Sequence, residues 1–373
     1  MTVGETRATD AVARRSADLA AIRSLFHPAQ GIAYLDTATY GLPPQPTVDA
    51  MERAVRLWQS GQGDWIDDWD LPSDAARADL ASLIGASATE IAYIPAASVG
   101  TGLVAAALRA GDEVVVPVDE FTSTLFPLLV AKARGARVRE VTADAVADAI
   151  GPATRLVAFS LVQMQTGRVA DVAAILDAAE RHGASVLVDA TQGVPFLDLE
   201  AYVSRIDYLV CSAYKHLLSP RGVAFLYVRR DRWDSLEPLD ANWRAAGDPF
   251  GRYFGGPLTL ADDARRFDVS RAWFPWIGAT ESLRLTAEWK RAGLLAPVLG
   301  LAEELAERIG VPWYGASLVS VPIEDGKAAG AALRAAGVKA SVRGTGIRFA
   351  VHVYTTDADI DRAADAIAPF IVR

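Results

Sequence analysis

Residues 185–193 read SVLVDATQG, and residues 207–216 read DYLVCSAYKH. In each, a short unbroken apolar run ends in a polar tail. A strand with one wet face alternates apolar and polar residues. An unbroken run of this length suits a strand covered on both faces. The two polar tails then fall at the carboxyl ends of buried strands, where open α/β sheets collect their ligands. One tail carries an acid, Asp189, and the other an amine, Lys215.

Similar runs recur upstream as IAYIP (91–95), EVVVPV (113–118), RVREV (137–141) and RLVAFSLV (155–162), and downstream as VAFLYV (223–228). Segments of helical spacing lie among them: VGTGLVAAALRA (99–110), TLFPLLVAKARG (124–135) and residues 170–183. Strands alternating with helices predict an α/β fold with a mainly parallel central sheet. Before this region, residues 1–30 read as a charged, Ala-rich helical arm. IAYLD (32–36) reads as a short strand, YGLPP (40–44) as a turn and residues 45–60 as a helix. GQGDWIDDWD (61–70) reads as a loop, and a helix follows at 73–84. After the sheet, 243–276 is a long loop and 277–310 is mostly helical. The tail has a different pattern, in which SLVSVPI (317–323), KASVRG (339–344) and GIRFAVHVY (346–354) alternate with helices at 326–336 and 358–370. The expected division is an arm over 1–30, a large domain over 31–276 and a small α+β domain over 277–373.

Composition narrows the function classes. The chain has 373 residues, 51% hydrophobic and 22% charged, with net charge −9. That profile is globular, and its sign argues against a duplex-binding surface. A single cysteine forms no internal disulfide, which fits a reducing cytoplasm. His27, His182, His216 and His352 show no paired ligand spacing, so no metal site is expected. The N-terminus lacks the apolar core of a signal peptide, and no run approaches the ~18 residues of a membrane helix.

One motif points elsewhere. Gly100, Gly102 and Ala105 make a G-x-G-x-x-A pattern after a strand, and Asp119 lies 17 residues beyond Gly102. A nicotinamide dinucleotide fold has that pattern, but so does any helix packed closely on a sheet or receiving another phosphate at its N-terminus. Four features bear on the ligand. Asp189 is costly at a buried strand end unless paired, and it serves either as a helix cap or as a carboxylate for a heterocyclic N–H; Gln192 follows three residues on. Lys215 is a solvated charge or, partly buried, an amine able to form an imine with a carbonyl. Ser98, Ser212 and Tyr214 are hydrogen-bond donors suited to a phosphate beside the helix start at 98–102. Arg348, in the small domain, offers a forked guanidinium for a carboxylate or for a surface ion pair.

Asp189-Ala-Thr-Gln192, Ser212-Ala-Tyr-Lys215-His and GIRFAVHVYTT together resemble the class V aminotransferases. These are fold-type I pyridoxal-phosphate enzymes, a group that includes cysteine desulfurases, isopenicillin N epimerase-like proteins and kynureninase. The resemblance runs from YLDTATYGLPP (34–44) to IDRAADAIA (360–368). It implies that Lys215 holds pyridoxal 5'-phosphate through an imine and shuttles protons. Asp189 would pair with the pyridinium nitrogen and Gln192 with the phenolic oxygen. The backbone of Ala97, Ser98 and Val99 would hold the phosphate with Ser212 and Tyr214. Phe121 would stack on the ring, and Arg348 would bind the substrate carboxylate. The family is usually a homodimer with the site at the subunit interface.

Several positions depart from the family pattern. Phe121 stands where many relatives have a histidine, and it cannot transfer protons. Met164 occupies a common asparagine position, so Gln163 or Gln165 is expected to stand in. Tyr214 replaces a frequent histidine. Ser270-Arg271 replaces a Gly-Thr that reaches the neighbouring subunit's phosphate, which gives Arg271 that contact as an expectation. The persulfide cysteine of a desulfurase lies well after the lysine, and this chain has none there; Cys211 reads as a small buried hydrophobe. Tyr40, Trp65, Trp69, Trp273 and Trp276 either line a large amino-acid substrate pocket, with Asp64, Asp67 and Asp68 nearby, or make subunit contacts. The expected activity is transamination or β-elimination of the C–S lyase type, with epimerisation or decarboxylation as alternatives. Two rival classes are a nicotinamide oxidoreductase built on Gly100 and Gly102 and a binding protein that has lost its chemistry.

Overall fold

The computed structural model of the chain describes residues 18–251 and 253–372. The first 17 residues of the expected arm lie outside the described residues. The rest of it begins as a short helix over 18–23, and Ile22 and Phe26 are buried in a hydrophobic core.

After β1 (Ala33–Tyr34) come β2 (Ile91–Ile94), β3 (Glu113–Pro117), β4 (Arg137–Val141), β5 (Thr154–Ser160), β6 (Ser185–Asp189), β7 (Tyr208–Ser212) and β8 (Ala224–Val228). Strands β2 to β8 form one seven-stranded sheet in the order β2-β8-β7-β6-β5-β3-β4. Pairs β4-β3, β3-β5, β5-β6 and β6-β7 are parallel, and β8 runs antiparallel to both β7 and β2. The reversal at β8 has a simple cause. Residues 213–223 contain no helix to carry the chain back across the sheet, so it can only turn and return.

The apolar runs feed two cores, one on each face. Val115, Val157, Leu209 and Phe225 pack on one side; Val114, Leu128, Val210 and Leu226 pack on the other. Helices Ala97–Ala106 and Thr122–Ala133 supply the second side, and Val172–His182 supplies the first. Consecutive strand residues serve opposite faces, which is why these strands show no alternation.

The smaller unit contains β9 (Leu318–Pro322), β10 (Val338–Lys339), β11 (Ser341–Arg343) and β12 (Gly346–Ala350). An antiparallel sheet β11-β12-β9 packs with helices Ala296–Ile309, Gly326–Ala335 and Asp357–Ile367. β1 pairs in parallel with β10, and Asp36 bridges to Ala350. The segment around 33–36 is therefore stitched to the small unit, although it precedes the large sheet in sequence. The expected boundary at 276/277 falls inside the helix Trp273–Arg291. That helix sends Trp276, Ala279, Leu283 and Ala287 into the large core and Leu285 and Trp289 into the small one.

The stretch expected as a loop over 61–70 is largely ordered as a wide π turn over Trp65–Asp70. Asp64 starts it by accepting from the N–H groups of Ile66 (2.8 Å) and Asp67 (2.9 Å). Among the described residues, no helix is long and apolar enough to cross a membrane.

Candidate active site

The carboxyl ends of β3, β5, β6 and β7 converge with the start of helix Ala97–Ala106 on one pocket. It is lined by Ala97, Phe121, Ser123, Ser160, Met164, Asp189, Thr191, Gln192, Ser212, Tyr214 and Lys215. Register explains the meeting of acid and amine. Asp189 ends β6 opposite Val210 of β7, so the chain needs only a short turn beyond Ser212 to present Lys215 on the same side.

Lys215 is 5% exposed, and its amine has no hydrogen-bond partner among the described residues. Its Nζ lies 5.2 Å from the centre of the Phe121 ring and 5.8 Å from that of Tyr214. Burial pushes its pKa down from an ordinary 10.5 to about 8, against the opposing pull of Asp189. Asp189 is also buried. Its Oδ1 accepts from the Thr191 N–H at 2.9 Å and its Oδ2 from the Thr124 hydroxyl at 3.2 Å. These two donors hold the carboxylate in place without a cationic partner in direct contact among the described residues.

Gln192 is fixed by a buried chain of bonds. Its Nε2 donates to the Ala38 carbonyl at 3.1 Å, so its Oε1 is the acceptor for His216 Nε2 at 2.9 Å. His352 Nε2 in turn donates to the His216 carbonyl at 2.9 Å. Both rings therefore carry their proton on Nε2. Burial pushes the pKa of both down, that of His352 to about 4, so neither is charged at neutral pH.

The loop before Phe121 is anchored by Glu120. Its carboxylate accepts from the N–H of Phe121 (2.7 Å), the N–H of Ser160 (2.7 Å) and the Ser160 hydroxyl. Burial raises its pKa against the Ser160 bonds. Glu120, Thr124, Thr191 and His216 are site residues that sequence reasoning does not single out. Thr191 and His216 sit inside the quoted motifs and Glu120 beside Phe121. Thr124 gives no local signal, because its partner lies 65 residues away.

For the phosphate set, Ala97, Ser212 and Tyr214 line the pocket, and the Ala97 N–H donates to Ser212 Oγ at 3.4 Å. Ser98 opens into an adjoining groove with Ser123, which lines both spaces. The Val99 N–H is taken by the Ala96 carbonyl at 3.0 Å and is not free for a ligand.

Arg348 stands one layer behind the pocket. Its guanidinium donates to the Met164 carbonyl at 3.1 Å and to Thr39 Oγ1 at 2.9 Å, while its Nε is buried without a partner. Asp36 Oδ1 is 3.9 Å away and also lacks a hydrogen bond. Burial pushes the pKa of Arg348 down to about 10.

Three sets of candidate residues stand outside the lysine pocket. Arg271 is taken up within its own chain. Its side chain is wholly buried, donating to the Asp70 carbonyl (3.0 Å), Ser73 Oγ (2.8 Å) and Asp74 Oδ1 (2.6 Å). It belongs to a buried set of ion pairs that also joins Arg244 to Asp70 and Arg77 to Asp268. Gln163 is spent on its own turn, with Oε1 accepting from the N–H groups of Gln165 and Thr166 and Nε2 donating to the Asp119 carbonyl. The tryptophans do not line the lysine pocket. Trp276 is core, 3.9 Å from Tyr93 between ring centres, while Trp65 stacks on Trp273 and Trp69 meets it tilted, each at 5.6 Å.

The glycine pattern also resolves. A side chain at Gly100 would collide with Val210 and Ile94, so this glycine serves helix–sheet packing, and Asp119 sits exposed in a turn.

The family model described as aminotransferase class-V matches residues 33–311. Isopenicillin N epimerase of Streptomyces clavuligerus is 30% identical over 334 residues, covering 78% of this chain and 83% of that protein. Two solved structures share the fold. The cysteine desulfurase CsdA of Escherichia coli aligns with a TM-score of 0.81 at 21% identity, over 94% of this chain and 98% of its own. A cystine C–S lyase in complex with cysteine persulfide aligns with a TM-score of 0.82 at 22% identity, over 92% and 99%.

Proposed function

The chain belongs to the class V aminotransferase family, and from that premise we propose that it is a pyridoxal-phosphate enzyme acting at the α-carbon of an amino acid, by transamination or by elimination of a β-substituent. The observation that carries this reading is Lys215, a buried amine with no hydrogen-bond partner among the described residues, in a pocket it shares with Asp189. An unpartnered buried amine is costly for a fold and useful to a carbonyl ligand.

The residues present fit the cofactor. Lys215 would hold its carbonyl carbon, Asp189 its ring nitrogen and Gln192 its ring hydroxyl. Ala97, Ser212 and Tyr214 would hold its phosphate, with Ser98 one step away. When bound, pyridoxal phosphate supplies an electron sink for the bond broken at the α-carbon. The chain's own residues do the rest. Lys215, neutral above about pH 8, accepts the α-proton at Nζ and returns it. Thr124 and Thr191 keep the Asp189 carboxylate in one orientation. Phe121 covers the pocket beside the amine and exchanges no proton. Arg348, whose Nε is without a hydrogen-bond partner among the described residues, would receive the substrate carboxylate.

Lys215 is the only amine or imidazole in the pocket lining. One base suits a proton moved along a single face, which transamination and elimination require. Inversion needs a second proton donor, for which the Tyr214 hydroxyl is the available group. Epimerisation is the second reading, favoured by the relative named isopenicillin N epimerase. Sulfur relay through a thiol has no support, because Cys211 is the chain's sole cysteine, is fully buried in β7 and has its pKa pushed up by burial.

The test is a panel of amino acids given to the cofactor-loaded protein. Keto acid, ammonia plus pyruvate, and inverted stereochemistry are scored separately, and the visible absorbance band that the cofactor gives when joined to a lysine amine should respond to at least one substrate. A band indifferent to every amino acid would sink the reading. We place the protein in a reducing cytoplasm as a homodimer with the site near the interface. The exposed Phe126 and Val130 on helix Thr122–Ala133 support a second copy. Sedimentation at the dimer mass is expected, and a monomer at micromolar concentration would refute this.

A further inference from the structure

Beside the lysine pocket lies a trough of about 820 Å³. One wall is the loop carrying Tyr40 and Pro43, a second is the Val48, Met51 and Val55 face of helix Gln45–Ser60 with Glu52 and Arg56 beside it, and Tyr214 closes the third side with Pro220 and Arg221. The helix gives this trough its character. Its Thr47, Ala50 and Ala54 are buried, as an amphipathic helix requires. Val48 and Val55, with Met51 half-buried against Gly278 of the helix Trp273–Arg291, extend the apolar surface of this helix into the trough; Val55 is 41% exposed. Such apolar surface on a helix is a cost in water unless something covers it.

Position identifies the cover. The Tyr214 ring borders both spaces, with the Lys215 amine 5.8 Å from its centre. Thr39 also lines the trough, and its hydroxyl is the group that accepts from Arg348. The loop lies close against the lysine segment, with the Gly41 N–H donating to the Tyr214 carbonyl at 2.9 Å. A molecule whose α-carbon is at Lys215 and whose carboxylate is directed to Arg348 would have the trough as the roomy neighbouring space. Its volume lies within the ordinary range for small-molecule sites.

We infer that the trough is the side-chain subsite, and that the substrate is an amino acid with a large apolar or aromatic side chain rather than a short polar one such as cysteine. The inference rests on the function proposed above and adds the substrate class to it. Each methylene buried there favours binding about fourfold.

The experiment compares alanine, cysteine, leucine and phenylalanine on the loaded protein, following the rate of change of the visible band against concentration. Phenylalanine or leucine should exceed alanine by at least ~10²-fold in kcat/KM, mainly through KM. Val48→Trp narrows the trough, and Val55→Trp does so from a more exposed position should the first fail to fold. Either should lower the phenylalanine-to-alanine ratio at least ~10-fold. Equal rates for alanine and phenylalanine, preference for cysteine, or a ratio unmoved by both variants would each overturn the inference. So would Val55→Trp splitting a dimer, which assigns that face to a second copy. No band change with any amino acid is a different failure, since it removes the proposed function itself.

Discussion

Lys215→Ala is expected to abolish the visible band that pyridoxal phosphate gives with the wild-type protein and to lower turnover by at least ~10³-fold. Removing the amine deletes both the attachment point and the only amine or imidazole in the pocket lining. The fold should survive, because Lys215 Nζ makes no hydrogen bond among the described residues that the variant would leave unpaired. Lys215→Arg is a useful partner variant. It keeps a cation in the pocket but cannot form an imine, so it should also lack the band. A Lys215→Ala protein that kept the band would mean that another amine holds the cofactor.

The same amine sets a pH dependence. Its pKa is about 8 in the folded chain against an ordinary 10.5, so between those values the unfolded chain binds a proton that the folded chain has released. Stability of the cofactor-free protein attributable to Lys215 therefore rises with pH through that window and is lacking below about 8. Uptake of pyridoxal phosphate by the cofactor-free protein needs the neutral amine, so its rate should climb with a midpoint near pH 8. A midpoint near 10.5 would show that the amine is not buried.

What could be read from the sequence was what local pattern encodes. The apolar runs gave the strands, and the polar residues ending them gave Asp189, Ser212 and Lys215 in their places. The reversal at β8 was also legible in principle, since residues 213–223 are too few for a helical crossover. What escaped was long-range. Arg271 looked free because its partners Asp70, Ser73 and Asp74 lie about 200 residues upstream. Gln163 looked like a pocket residue because nothing in its neighbours announces that its amide closes its own turn. Trp276 marked an expected boundary yet sits in the large core, because the helix holding it begins at Trp273 and serves both units. Aromatic residues advertise burial without saying against what.

Asp189→Asn is the sharpest test of how the pocket shares its work. The amide keeps the size of the carboxylate, and its oxygen can still accept from the Thr191 N–H. The Thr124 hydroxyl, now facing an NH₂ group, can turn and accept. The variant should therefore fold while losing one negative charge from the pocket. Turnover should fall on the order of 10²-fold or more, since a fixed charge aimed at a reacting group is worth that much in a site shielded from water. A second readout separates this from simple damage. Asp189 is the main influence holding the Lys215 pKa up against burial, so its neutralisation should move the pH midpoint of pyridoxal phosphate uptake below about 8. Asp189→Ala should share the lower midpoint and also lose stability, because the Thr191 N–H is left without an acceptor. An Asp189→Asn protein with wild-type turnover, or with an unmoved midpoint, would mean that the acid and the amine do not act on one another across the pocket.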